Sequence, residues 1–102
     1  MSAVRADAVR MKRVRLQVHY EGQVQGVGFR YTAKTVARGY EVKGLVRNLL
    51  DGRVELVAEG TRDELDAFRQ AIQDSGLGPL IRREEVRWAE ATGELRGFEI
   101  RG

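Results

Sequence analysis

The stretch that most constrains this chain is Gly22-Gln23-Val24-Gln25-Gly26-Val27-Gly28-Phe29-Arg30-Tyr31. It lies between an alternating apolar run, Val14 to Tyr20, and a run with helical spacing, Phe29 to Ala37. Strand alternation gives way to helical spacing across it, which makes it a strand-to-helix turn. Glycines at 22, 26 and 28 let the backbone bend tightly and bring its N–H groups close to a ligand. The helix that follows points its unpaired first-turn N–H groups, and its positive dipole end, back into the same loop. Arg30 falls in or beside that first turn, where the dipole disfavours a cation. Local helix stability therefore gives no reason for Arg30. A bound anion does, because backbone donors and a forked guanidinium would converge on it.

Other glycine-loop chemistries fail on the letters. No Gly-Lys-Ser/Thr follows, as a Walker A loop requires. Tyr31 stands where a dinucleotide fingerprint needs its last glycine for close helix–strand packing. A kinase glycine loop covers a strand hairpin rather than opening a helix, and this chain is too short for a kinase.

With 102 residues and 42% hydrophobic content, the chain is one small domain with a single core. There is no apolar run long enough to span a membrane and no apolar signal core. The absence of cysteine removes disulfides, thiol catalysis and thiolate metal sites together. His19, the lone histidine, cannot build a histidine-rich metal site, and its strand phase predicts a solvent-facing residue. No metal and no cofactor are expected, and a cytoplasmic protein is the default. The net charge is +3, yet residues 1–15 alone carry +4, so the basic excess belongs to the leader and first strand. A nucleic-acid surface wants that charge on the folded face. Residues 1–11 show no periodicity and are expected to form a disordered N-terminal extension, with residues 12–102 as the domain. Met11 is a possible alternative start.

In order, Val14 to Tyr20 reads as a strand, Phe29 to Arg38 as a helix with Phe29, Ala33, Val36 and Ala37 inward, and Gly39 as its left-handed C-cap. Glu41 to Asn48 and Arg53 to Glu59 read as strands joined by a hairpin turn at Leu49-Leu50-Asp51-Gly52. Thr61-Arg62-Asp63-Glu64 is a capping box that opens a second helix, with Leu65, Phe68, Ala71 and Ile72 as its apolar stripe and an end near Ser75-Gly76. Leu77 to Ile81 is a loop with the sole proline, and Arg83 to Trp88 a fourth strand with Val86 and Trp88 inward. Ala91 to Arg96 reads as loose, before a short closing strand at Gly97 to Arg101. This order predicts an α+β, ferredoxin-like split βαβ sandwich: two helices on one face of a mainly antiparallel sheet of four strands plus a short C-terminal one.

A second constellation, Gly44-Leu45-Val46-Arg47-Asn48, ends the second strand. On these five residues alone, turn chemistry accounts for Asn48. Together with the first stretch, the sequence closely resembles the acylphosphatase family. Gly22 to Arg30 matches a signature of the form G-x-V-Q-G-V-G-F-R throughout. Gly44, Val46, Asn48, Gly52, Val54 and Gly60 match a second, G-aromatic-V-x-N-x-x-x-G-x-V with a later glycine. Leu45 departs from the usual aromatic, and Gly78-Pro79-Leu80 from a frequent Gly-Pro-Pro. The resemblance covers about residues 12–101.

The resemblance implies metal-independent hydrolysis of acyl phosphates to a carboxylate and inorganic phosphate. It implies that the loop Gln23, Val24, Gln25, Gly26, Val27, Gly28, Phe29 and Arg30 cradles the phosphoryl oxygens, that Arg30 clamps them, and that Asn48 orients the attacking water. The partners implied are a small-molecule acyl phosphate and inorganic phosphate; the composition and charge give no expectation of nucleic acid or membrane, and a monomer is the default. No large apolar pocket is readable beyond the loop, so broad selectivity among small carboxyl phosphates is expected. A non-catalytic phospho-ligand module on the same fold is the first rival. An RNA-binding domain is the second: it needs exposed aromatics on its central strands, and Arg53 to Glu59 has none, while Glu55 and Glu59 would repel phosphate.

Overall fold

The computed structural model describes residues 12–102; the expected extension over residues 1–11, with its alternative start, lies outside them. The chain runs β1 (Arg13–Gly22), α1 (Phe29–Ala37), β2 (Lys43–Asn48), β3 (Val54–Thr61), α2 (Arg62–Ile72), β4 (Ile81–Glu90) and β5 (Phe98–Arg101). The five strands form one sheet in the order β4-β1-β3-β2-β5. All neighbours are antiparallel except β2 and β5, which are parallel with Gly44 opposite Phe98 and Arg47 opposite Arg101. Inserting β3 between β1 and β2 is the split βαβ pattern, so the expected ferredoxin-like architecture is what the chain adopts.

Strand alternation builds the core. Leu16, Val18 and Tyr20 of β1 and Val54, Leu56 and Ala58 of β3 are fully buried under Phe29, Ala33 and Ala37 of α1 and Leu65, Phe68 and Ile72 of α2. Tyr20 meets Phe29 at 4.8 Å between ring centroids and Phe68 meets Phe98 edge-on at 5.6 Å, so aromatic packing ties the loop and β5 into this core. Trp88 faces the same side, half-buried, with the Arg62 guanidinium 3.8 Å above its ring.

Several local expectations are corrected. Gly39 does not adopt a positive φ. α1 instead tightens at its end, with Gly39 N–H donating to Val36 O at 3.0 Å and Tyr40 N–H to Ala37 O at 3.1 Å. The capping box is only half made. Thr61 Oγ1 accepts from Glu64 N–H at 3.3 Å, but the Glu64 carboxylate accepts from Glu41 N–H at 2.8 Å. Thr61 still lies in the sheet ladder, opposite Arg13. α2 stops at Ile72, and a wide turn over Gln73–Leu77 follows, in which Gly76 has φ +93°.

The face of the sheet away from the helices departs most. β3 is buried along both faces, including Glu55 and Glu59. His19 is not solvent-facing, because its Nε2 lies 3.0 Å from Glu55 Oε2 with only 17% of its side chain exposed. Glu55 also accepts from Gln17 Nε2 at 2.9 Å and Arg47 Nε at 2.6 Å. Burial alone would raise the Glu55 carboxyl; the hydrogen bonds from His19, Arg47 and Gln17 outweigh it and hold it below the usual range. The segment 91–97 is likewise not loose. Glu59 accepts from Arg15 Nε at 2.8 Å, Thr92 N–H at 2.9 Å, Thr92 Oγ1 at 3.2 Å and Gly93 N–H at 3.0 Å. The two acids are therefore buried, paired groups rather than exposed repulsive charges.

Candidate active site

The loop between β1 and α1 is anchored at its first residues. Gln23 N–H donates to Leu80 O at 3.0 Å, and a Cβ on Gly22 would lie 2.2 Å from that same carbonyl oxygen. Only glycine permits this approach, and Gly22 also takes φ +132°. Val24 is fully buried and holds the middle of the loop down. Gly28 is the N-cap of α1 in a left-handed conformation and contributes no capping side chain. The first-turn amides of α1 are thereby left for another acceptor.

Val24, Gly26, Gly28, Phe29, Arg30 and Tyr31 line one side of a cleft of about 60 Å³, and Asn48 closes it from the end of β2. Arg30 Nη1 donates to Gly102 O at 2.8 Å. The β2–β5 register ends with Arg101 opposite Arg47, one residue before each of Gly102 and Asn48. A guanidinium carries five N–H donors, so others remain for a second acceptor.

Of the residues expected to cradle a phosphoryl group, Gln23, Gln25 and Val27 do not line the cleft. The Gln23 amide is committed to Leu80, and Val27 stands exposed. Gln25 turns its side chain to the hairpin, where Nε2 donates to Leu49 O at 2.7 Å and Arg53 O at 2.9 Å. Those bonds bracket the turn that follows Asn48. They hold the asparagine against the loop, a positioning role that the sequence did not disclose. The turn itself closes as Asp-Gly predicts, with Gly52 at φ +95° and Asp51 accepting from Arg53 N–H at 3.1 Å and Arg53 Nε at 2.9 Å. The Arg53 amide bond, which outweighs desolvation, keeps the Asp51 carboxyl below its ordinary range.

Among the described residues, no Asp, Glu or His lines the cleft. Among the described residues, no group of three metal-binding side chains comes together, and no helix is long and apolar enough to cross a membrane. The cleft brings the glycine loop and the start of α1 together with one guanidinium-bearing residue, Arg30, and one carboxamide-bearing residue, Asn48.

Fold and cleft together define a ferredoxin-like α+β protein with a glycine-loop cleft at the start of its first helix. The acylphosphatase family model matches residues 16–100, and the chain belongs to that family. It is 46% identical to an acylphosphatase of Roseiflexus sp., over 88% of this chain and 97% of the relative. The crystal structure of the Bacillus subtilis acylphosphatase superposes with a TM-score of 0.78 at 32% identity, covering 87% of this chain and 99% of that one. HypF of T. kodakarensis is also similar, with a TM-score of 0.72 at 31% identity, but there the likeness covers 85% of this chain and only 12% of that one.

Proposed function

We propose that this chain hydrolyses acyl phosphates to a carboxylate and inorganic phosphate, with the cleft between the glycine loop and Asn48 as the active site. The observation that carries this is that the glycine loop, the first turn of α1 with Arg30, and Asn48 line one small cleft in which, among the described residues, there is no acid–base pair. The phosphoryl group sits on the amides of α1, and Arg30 neutralises its equatorial oxygens. The Asn48 carboxamide holds a water in line with the leaving group. The water oxygen bonds to phosphorus as the bond from phosphorus to the acyl oxygen breaks, and that electron pair leaves on the carboxylate. A carboxylate is a good leaving group and needs no proton, so a general acid is dispensable. The water proton passes to a phosphoryl oxygen, because an amide such as Asn48 is not appreciably basic. The phospho-ligand module on the same fold is disfavoured by the presence of both Arg30 and Asn48 in the cleft. A monomer acting on small molecules without a metal is part of this reading, as is a cytoplasmic location, with which a chain without cysteine is compatible.

The test is benzoyl phosphate hydrolysis with a metal chelator present, comparing wild type with Asn48→Ala and Arg30→Ala. Asn48→Ala should lose about a hundredfold in kcat while keeping inhibition by inorganic phosphate. Arg30→Ala should lose both. A near-normal kcat for Asn48→Ala would remove the water-positioning role, and unchanged phosphate inhibition in Arg30→Ala would remove the clamp. Chelator-sensitive turnover would contradict a metal-free site.

A further inference from the structure

Lys34, Arg38, Tyr40 and Val42 surround a hollow of about 300 Å³ at the far end of α1, and Phe98 closes it from the start of β5. Arg38 stands two turns beyond Arg30, roughly 12 Å along the helix axis, so the hollow is separate from the cleft beside the glycine loop. Its wall is apolar. Val42, Tyr40 and Phe98 pack one side against the core and turn the other to the hollow, with buried Ala37 beneath them. Phe68 holds both rings, Phe98 edge-on at 5.6 Å between centroids and Tyr40 at 6.1 Å. A Cβ on Gly44 would lie 2.9 Å from Phe98 Cε2, so the glycine gives that ring its seat. Core packing therefore fixes this wall.

The rim is cationic. Lys34 and Arg38 line the hollow and, among the described residues, no carboxylate does. Glu41 and Glu64, which meet through the Glu41 amide, stay outside it. On α2 and β4 the arginines are matched: Arg62 with Asp66, Arg69 with Glu84, Arg83 with Glu21 and Arg87 with Glu85. Among the described residues, Lys34 and Arg38 form no such pair. Cations at a helix C-terminus often serve its last carbonyls. Here the chain's own amides serve them: Arg38 N–H donates to Thr35 O at 3.2 Å, Gly39 N–H to Val36 O at 3.0 Å and Tyr40 N–H to Ala37 O at 3.1 Å. Like charges four residues apart also repel each other. Helix stability does not account for the two cations, and an anion between them does. We propose that this hollow is a second ligand site that takes a small aromatic carboxylate, its carboxylate between Lys34 and Arg38 and its ring against Val42, Tyr40 and Phe98. A carboxylate matches a planar guanidinium two oxygens at a time. The ring buries apolar surface, and Tyr40 and Phe98 offer it aromatic contact. A bare inorganic anion leaves the wall wet, and a neutral ring leaves the cations unmatched. The site involves no phosphoryl chemistry and does not depend on the hydrolysis proposed above.

The experiment is an amide NMR titration of the full chain with 2-naphthoate, its neutral isostere 2-naphthamide, and acetate, each with inorganic phosphate in excess to occupy the glycine-loop cleft. 2-Naphthoate should shift the amides of Arg38, Tyr40 and Phe98 saturably. It should bind about tenfold more tightly than 2-naphthamide, which lacks the charge, and about tenfold more tightly than acetate, which lacks the ring. Arg38→Gln should weaken 2-naphthoate about threefold, and adding Lys34→Gln should bring it down to the affinity of the amide. Arg38 is exposed and Lys34 partly so, and both variants should melt with wild type. Shifts centred on Gly28 and Arg30, equal affinity for 2-naphthoate and 2-naphthamide, or a double variant that keeps the preference would each overturn the site. The readout needs no turnover, so failure of benzoyl phosphate hydrolysis would leave the site standing.

Discussion

Replacing Glu59 by alanine should destabilise the fold by about 3 kcal/mol at neutral pH. The carboxylate is a side chain 2% exposed, and it gathers Arg15 Nε, Thr92 N–H, Thr92 Oγ1 and Gly93 N–H within 3.2 Å. Removing one member of a buried ion pair costs roughly 3–5 kcal/mol. Arg15 is 30% exposed and can rehydrate, which selects the lower end of that range. The ionisation of the same carboxylate points the same way. Burial would raise the Glu59 carboxyl, but the Thr92 amide, Arg15 and the Gly93 amide outweigh it and lower it from 4.5 to about 2. At about 1.4 kcal/mol per pKa unit, that difference is again about 3 kcal/mol. Because the folded pKa is the depressed one, this stability is complete above about pH 5 and drains away as pH falls toward 2. Urea unfolding of wild type, Glu59→Gln and Glu59→Ala at pH 7 and pH 3 measures it. The gap between wild type and either variant should shrink by about 2 kcal/mol between the two pH values. At pH 7 the alanine variant should melt about 15 °C lower, and the Thr92 and Gly93 amides should exchange faster. A neutral-pH gap under about 1 kcal/mol, or one that is equal at both pH values, would refute the burial and pairing of this carboxylate.

Two further substitutions probe the loop. Gln25→Ala should lower kcat on benzoyl phosphate about tenfold with phosphate inhibition little changed, because it frees the hairpin that carries Asn48 rather than the amides of α1. Loss of phosphate inhibition in step with kcat would show that Gln25 serves the anion itself. Gly22→Ala should destabilise by 2 kcal/mol or more, by order of magnitude, since its Cβ would lie 2.2 Å from Leu80 O and 2.8 Å from Arg82 N at φ +132°. A thermal melt like that of wild type would mean that the loop does not close on Leu80 as described.

What was legible in the sequence was local. Alternation in Val14 to Tyr20, the glycines before Phe29, the Asp51-Gly52 turn and the stripe Leu65, Phe68, Ile72 each express their structure within a few residues. What was not legible depended on partners far along the chain. Gln25 meets Leu49 and Arg53 across a gap of more than twenty residues, and Glu64 leaves its own cap for Glu41. Glu55 and Glu59 look like the polar phase of a strand until His19, Arg47, Arg15 and the segment after β4 are brought to them. Gly39 shows the opposite failure. A residue able to take positive φ is not obliged to, and a tightened helix end satisfied the same carbonyls.

The strand order explains why segment 91–97 lies where it does. β4 and β5 occupy opposite edges of the sheet, so the chain between them must cross one face. The helices already cover the other face. Four interstrand spacings amount to about 19 Å, and the eight Cα steps from Glu90 to Phe98 reach about 27 Å when extended. The segment crosses over the middle strands, where β1 presents Arg15 and β3 presents Glu59. Backbone N–H groups laid across a sheet have no ladder to join, and a carboxylate beneath them meets that need at Thr92 and Gly93. Beyond the crossing, β5 runs parallel to β2 and ends with Arg101 opposite Arg47, and the next residue's carbonyl, Gly102 O, holds Arg30. The buried acid that fastens the strap therefore also helps to fix the edge of the sheet on which the guanidinium and carboxamide of the cleft converge.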